Sequence, residues 1–258
     1  MHIRPCVPDD YSAVATLCSR AFANDDLSNF LHPRLNDYPE HFRRSWLRST
    51  RMRYVSGQHL YVAETDEKDG VHWTGTPQVV GFASWERDGD SEAARKWRRP
   101  DTLAIKLERL LLKCEGYYEQ VIGLDQSISW PNKRLFMSLV AGEGINFAET
   151  VGDSWHLRLL AVDPDIQRCG IGSRLVEWGL EKATQEKVPA TLLASKAGEN
   201  LYRRKGFKAW WWTDSGEMGI RNAPAMVWEP ENIKGRWYET LEDGKVVVGG
   251  RTIDTVEK

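Results

Sequence analysis

The sequence predicts an α/β fold, and three observations predict it. Residues 157–187 (LRLLAVDPDIQRCGIGSRLVEWGLEKATQEK) read as an apolar strand, a glycine-bearing turn and a helix in succession. Short apolar runs bounded by turn residues recur before and after that unit, at residues 59–64, 78–86 and 189–195. Between them lie stretches whose apolar residues return every three or four positions, the spacing of one helix face.

Taken in order, residues 2–5 (HIRP) read as a first strand. Pro8-Asp9-Asp10 opens a helix with Tyr11, Val14, Leu17, Cys18, Ala21 and Phe22 on one stripe. Asn24-Asp25-Asp26 ends it, and the polar stretch to Pro39 reads as a loop. A second helix over 40–54 sets Arg43, Arg44, Arg48, Arg51 and Arg53 beside Phe42, Trp46 and Leu47, which reads as a solvated basic face rather than an anion site. Strands 59–64 (HLYVAE) and 78–86 (QVVGFASWE) are joined by 65–77. A largely helical stretch, residues 90–150, follows. In it Asp101 is the expected N-cap of a helix with Leu103, Leu107, Leu110, Leu111 and Cys114 on one face, and Pro131 interrupts what comes after. Beyond 157–187, residues 189–195, 208–213 (with Trp210-Trp211-Trp212) and 225–228 (AMVW) read as strands. Residues 236–248 carry a hairpin signal with Asp243-Gly244 at the turn, expected to pack on the rest because a lone hairpin is marginal.

A chain of 258 residues has ample length for a core, in one large domain or two small ones. A net charge of −2 lacks the strongly basic balance of a nucleic-acid binder, so no nucleic-acid partner is expected. Cys6, Cys18, Cys114 and Cys169 are scattered without a CxxC pair, which predicts free thiols and a reducing, cytoplasmic setting. No apolar segment follows Met1 and none reaches the length of a membrane span, so a soluble protein without a membrane partner is expected. The six histidines show no HExxH or Cys/His ligand spacing, and no metal is expected.

The turn in the central unit carries the chemistry. Asp163-Pro164 breaks the strand, because proline removes a ladder donor and restricts the residue before it. Gln167, Arg168, Cys169, Gly170, Ile171 and Gly172 come next, then a helix face of Ile171, Leu175, Val176, Gly179, Leu180 and Ala183. Backbone amides gathered at such a helix start meet the positive end of the helix dipole, a setting for phosphate. A Walker loop is excluded, since no GxxxxGK[ST] run exists. A dinucleotide fingerprint is excluded too: Leu175 stands at its third glycine and no acidic residue ends the next strand. What remains, Q-x-x-G-x-G after an apolar strand, resembles the acyl-CoA pyrophosphate loop (Q/R)-x-x-G-x-(G/A) of the GNAT superfamily of N-acyltransferases. Downstream, Leu201-Tyr202-Arg203-Arg204-Lys205-Gly206-Phe207 resembles the family's second signature, L-Y-x-x-x-G-F.

The resemblance implies a mixed-sheet GNAT fold. Its domain would be residues 1–230, with the helical insertion at 90–150, followed by a C-terminal extension at 231–258. It implies acetyl-CoA as co-substrate, no metal, and direct acetyl transfer to the primary amine of a small-molecule acceptor. A protein or peptide N-acetyltransferase and a catalytically silent CoA-binding protein are the alternatives, and the assembly is a monomer or a homodimer. The insertion would lie near the acceptor side, as a substrate wall or lid, or else serve as an appendage or oligomer contact.

By position in the motifs, the backbone of Leu160, Ala161 and Val162 would meet the pantetheine amides. Gln167, Arg168, Cys169, Gly170, Ile171, Gly172 and Ser173 would supply amides to the diphosphate, with Arg168 or Arg174 adding charge. Tyr202 stands where many members place the general acid, Ser195 stands where many carry a cofactor-binding asparagine, and Asn200 is nearby. An alkylammonium of pKa near 10.4 is only about one part in two thousand neutral at pH 7, so a base or a desolvating pocket is needed. His156, on a strand face with Arg158 and Leu160, and Glu86, at the end of the third strand, are the candidates. Proton release to water is the third possibility.

Overall fold

In the computed structural model, which describes residues 1–143, 150–215, 220–240 and 246–248, the apolar runs become strands and the striped stretches become helices. The order is β1 (His2–Pro5), α1 (Tyr11–Ala21), α2 (Asp26–Leu31), α3 (Pro39–Val55), β2 (His59–Glu64), β3 (Val79–Asp88), α4 (Glu92–Trp97), α5 (Leu103–Ile122) and α6 (Trp130–Glu143). Then come β4 (Ser154–Val162), α7 (Ile171–Glu186), β5 (Ala190–Leu193), α8 (Glu199–Arg204), β6 (Lys208–Ser215), β7 (Ile220–Trp228), β8 (Tyr238–Thr240) and β9 (Val246–Val248).

Seven strands form one sheet in the order β1-β2-β3-β4-β5-β7-β6, and β8 pairs with β9 apart from it. β1 runs antiparallel to β2 with His2 opposite Glu64. β4 and β5 are parallel, with Trp155 opposite Ala190, and β7 is antiparallel to both β5 and β6. The sheet is therefore mixed and the fold α/β, as expected.

Four local expectations are corrected. Residues 26–31, read as loop, form α2, because the Asp25 carboxylate accepts from the Ser28 amide at 3.1 Å and caps the turn. Thr102, not Asp101, caps α5, accepting from the Ile105 amide at 3.3 Å while Asp101 binds Arg109. Pro131 does not interrupt: it is the second residue of α6, where a missing N–H costs nothing. The basic face of α3 is only partly left to solvent, since Arg44 is exposed while two of its neighbours reach α5. Arg48 pairs with Glu119 of α5, and Arg51 lies 3.4 Å from Glu108.

The chain forms two compact units. The first comprises Met1–Ser84, Arg99–Ala141 and Leu159–Leu175. Its core joins Tyr11, Val14, Leu17 and Cys18 of α1 to Leu60, Val62, Phe82 and Ala161 of the strands. The apolar stripe of α1 thus covers one sheet face, as its spacing demands.

The second unit comprises Trp85–Arg98, Gly142–Arg158 and Val176–Lys258. Trp85, Trp155 and Trp178 pack together, with Trp97 edge-on to Trp155 at 4.9 Å. The Glu186 carboxylate accepts from the indoles of Trp97 (2.7 Å) and Trp155 (3.1 Å) and from Arg87 Nε (2.9 Å), tying three elements of this unit to one acceptor. Val246, Trp237 and Tyr238 pack on Trp210, Ala225 and Val227. The Glu229 carboxylate gathers the amides of Gly235, Trp237 and Tyr238. The expected turn at 242–245 lies outside the described residues.

Candidate functional site

The turn between β4 and α7 is built to leave its amides unspent. Its framework is made by residues before the glycines. Asp163 accepts from the Asp165 amide at 3.1 Å, and the Ile166 amide donates to the Asp163 carbonyl at 3.1 Å. The Gln167 side chain turns back to donate to the Val162 carbonyl at 3.2 Å. Arg20 of α1 braces the whole, reaching Asp163 at 2.6 Å and Asp165 at 2.7 Å.

Arg168 (φ 65°) and Gly170 (φ 83°) take left-handed backbone, and a Cβ on Gly170 would meet nothing within 4 Å. Left-handed residues in a turn let successive N–H groups converge into an anion-binding concavity. Among the described residues no protein group accepts from the amides of residues 167–173. Arg174 N, donating to the Gly170 carbonyl at 3.1 Å, is the first to close a helical bond. Arg168 and Arg174 are exposed and, among the described residues, in no ion pair. Cys169 is exposed too, its Sγ 3.9 Å from His72 Nε2. This open, cation-flanked amide run fits a diphosphate. The ladder of β4 with β5 covers Trp155 to Leu157 against Ala190 to Leu192, so the backbone of Leu160, Ala161 and Val162 continues past it along that edge.

Tyr202 is carried by α8. Its ring is buried, 7% exposed, and lies edge-on to Phe207 with centroids 5.9 Å apart. Its hydroxyl is bonded to no described residue, and it is not among the described polar atoms sealed from solvent without a partner. Burial pushes the phenol's pKa up, so it keeps its proton. Ser195 Oγ accepts from the Gly198 amide at 3.2 Å, which spends it on the turn that aims α8. Asn200 is exposed on α8. Gly198 passes unusually close to the tyrosine: a Cβ there would meet Tyr202 Cε2 at 2.9 Å.

The two base candidates differ sharply. His156 is buried, 4% exposed, with Nδ1 2.8 Å from Thr191 Oγ1 on the neighbouring strand. Burial first, and then the Arg158 charge, hold its pKa well below the ordinary value, so it is neutral. Glu86 is more open, and its Oε2 accepts from Arg158 Nε at 2.6 Å. On the other side of that guanidinium, 3.8 Å away, lies Asp88. Burial raises the Asp88 carboxyl to about 6, against the pull of Arg158. Sequence reasoning passed over Asp88, although it sits two residues beyond Glu86 and so shares its strand face. It passed over Arg20 and Gly198 as well, since neither belongs to a motif.

The family model for the acetyltransferase (GNAT) domain matches residues 132–209, which contain β4, the amide-lined turn, α7 and α8. A solved structure from Corynebacterium glutamicum, described as histone acetyltransferase HPA2 and related acetyltransferase, shares the fold. Its TM-score is 0.57 at 18% identity, over 88% of this chain and 95% of that one. Residues 132–209 of this chain thus match the acetyltransferase (GNAT) domain, within a structure that shares the fold. An uncharacterized N-acetyltransferase of Schizosaccharomyces pombe is 32% identical over 81 residues, 30% of this chain and 34% of that protein. The chain thus matches about a third of that relative's length. An acetyltransferase of Stachybotrys chartarum is 22% identical over 221 residues, 84% of this chain and 83% of that one. Among the described residues no cluster of His, Cys, Asp or Glu could hold a metal ion, and no helix is long and apolar enough to cross a membrane.

Proposed function

We propose that the chain transfers the acetyl group of acetyl-CoA directly to the primary amine of a small-molecule acceptor, in the cytoplasm. The observation that supports this most is the run of unspent amides at residues 167–173, framed by Gln167, Asp163 and Arg20. In this reading those amides hold the diphosphate, Arg168 and Arg174 add charge, and the backbone of Leu160, Ala161 and Val162 pairs with the pantetheine arm. Asn200 adds a polar contact, and Ser195 keeps Tyr202 in place. Acetyl-CoA supplies the acyl group already activated as a thioester. Tyr202, still protonated, gives its proton to the departing sulfur.

The amine proton goes to the carboxylates flanking Arg158. Asp88, with its pKa near 6, is the better base than an ordinary carboxylate at neutral pH, and Glu86 holds the guanidinium beside it. His156, neutral and sealed, positions Thr191 rather than taking the proton. Residues 1–230 would form the transferase domain around the insertion at 90–150, with 231–258 as its extension. Four free cysteines, two of them exposed, suit the reducing cytoplasm.

The test is calorimetric titration with CoA, then acetyl-CoA turnover over a panel of small amines. Binding with turnover that Tyr202→Phe lowers is the expected result. Failure to bind CoA at high micromolar concentration would overturn the proposal.

A further inference from the structure

Helix α5 turns more apolar surface outward than inward. Its inner face is held by Glu108 near Arg51 (3.4 Å), by Arg109 on the Val55 carbonyl (2.5 Å), by buried Leu112, and by Glu119 on Arg48. The opposite face exposes Leu103 (85%), Leu107 (57%), Leu110 (56%), Tyr117 (70%) and Val121 (63%), with the free thiol of Cys114 among them.

Leu103, Leu107, Leu110, Cys114, Tyr117 and Val121 recur in steps of four, three, four, three and four. That is the 3.5-residue period of a seam between two helices, with Leu103, Leu110 and Tyr117 at d and Leu107, Cys114 and Val121 at a. The seam holds no charge and runs about 27 Å along the helix. Lys106 and Lys113 line one edge, and Leu111, Tyr118 and Glu115 line the other.

We propose that this seam binds a second copy of the chain, α5 against α5 in parallel about a two-fold axis. Three observations select that occupant. In a parallel pair the lysine edge of one copy lies beside the Leu111, Tyr118 and Glu115 edge of the other, whereas an antiparallel pair sets lysine against lysine. Leucine at two of the three d positions, with valine at one of the three a positions, leans toward a two-stranded parallel pair. At roughly 100 Å² apiece, the outward Leu103, Leu107, Leu110, Leu111, Tyr117, Tyr118, Val121 and Ile122 come to about 800 Å² per copy, the per-partner area of a standard stable interface. A two-fold contact of this kind is closed and uses the same patch on both copies. The inference is independent of the acyl-transfer reading.

The test is sedimentation velocity on the full chain. The expected particle has twice the 29.6 kDa chain mass, and Leu110→Glu reduces it to one chain with the circular dichroism and melting temperature unchanged. Because parallel a-layers face their own copies, mild oxidation of the Cys169→Ser protein should yield a disulfide-linked dimer that Cys114→Ser abolishes. This second arm keeps every leucine of the seam and does not depend on how Leu110→Glu folds. A monomer at every concentration, a dimer indifferent to Leu110→Glu, or a dimer that Cys114 never links would overturn the proposal. So would a monomer that binds phosphatidylcholine vesicles through Leu110, which would assign the seam to lipid.

Discussion

Replacing Gly198 by alanine should damage catalysis without damaging the fold. Gly198 has φ −87° and ψ −21°, which alanine adopts freely, so backbone strain plays no part. The new Cβ would sit 2.9 Å from Cε2 and 3.4 Å from Cζ of Tyr202. Carbon atoms settle at about 3.5 Å or more, so the near edge of the ring must retreat by about 0.6 Å. With its edge against Phe207 the ring can only pivot about its own Cα, and the hydroxyl at the far end then moves slightly more. A misplacement of about 1 Å costs on the order of 100-fold in rate, so a shift somewhat below that should lower kcat by roughly 10-fold to 30-fold. KM for acetyl-CoA should hold. Stability should stay within about 1 kcal/mol, because the entropy alanine removes from the unfolded chain offsets mild overpacking.

The decisive assay for that reasoning is a double-mutant cycle in steady-state kinetics. If Gly198→Ala acts through the Tyr202 hydroxyl, it should cost less than about twofold once Tyr202→Phe is present. An equal penalty in both backgrounds would refute the reasoning.

Three further outcomes follow from neighbouring groups. Arg20→Ala should raise KM for acetyl-CoA several-fold while shifting stability by under about 1 kcal/mol, since the Arg20 pairs are partly exposed; an unchanged KM would count against the bracing role. Asp88 lifts from 3.8 to about 6, two units at about 1.4 kcal/mol each, so its charged form costs the fold up to about 3 kcal/mol. That cost is absent below pH 4, grows between pH 4 and 6, and is complete above. Asp88→Asn should therefore stabilise the protein at pH 7 and not at pH 4 in urea melts. It should also remove a rise in kcat/KM centred near pH 6. Glu186→Ala removes one of the two carboxylates on buried Arg87, which keeps Asp153, and urea melts should show a loss of about 2 kcal/mol.

The sequence made legible whatever depends on local spacing, and hid whatever depends on depth. The Gln167-to-Gly172 run names its own geometry, because a helix start after a broken strand must leave amides unpaired. Alternation placed His156 and Arg158 on one strand face. It could not say that the first is sealed against Thr191 while the second reaches solvent to bind Glu86. Asp88 became interesting only through the burial that raises it. Helix α2 escaped notice because six residues carry too little periodicity, and its Asp25 cap looks the same in a loop. The stripe on α5 was plain in its spacing, yet spacing says that a stripe exists, not which way it faces.

The division of labour inside the phosphate turn sharpens one last expectation. A turn whose amides are reserved for a ligand must be stabilised by other groups, and here these are the Asp163 carboxylate, the Arg20 guanidinium and the Gln167 side chain. Gln167 spends its amide nitrogen on the Val162 carbonyl, so in the proposed reading its side chain shapes the turn and only its backbone is left to meet the ligand. Gln167→Ala should then loosen the turn, raising KM for acetyl-CoA about tenfold, the equivalent of one neutral hydrogen bond at about 1 kcal/mol or slightly more. Arg168→Gln keeps the turn and removes a charge, so it should weaken CoA binding most at low salt and little at high salt. Calorimetry across ionic strength separates the two. If Gln167→Ala showed the salt dependence and Arg168→Gln did not, the glutamine would be contacting the ligand and the bracing assignment would be wrong.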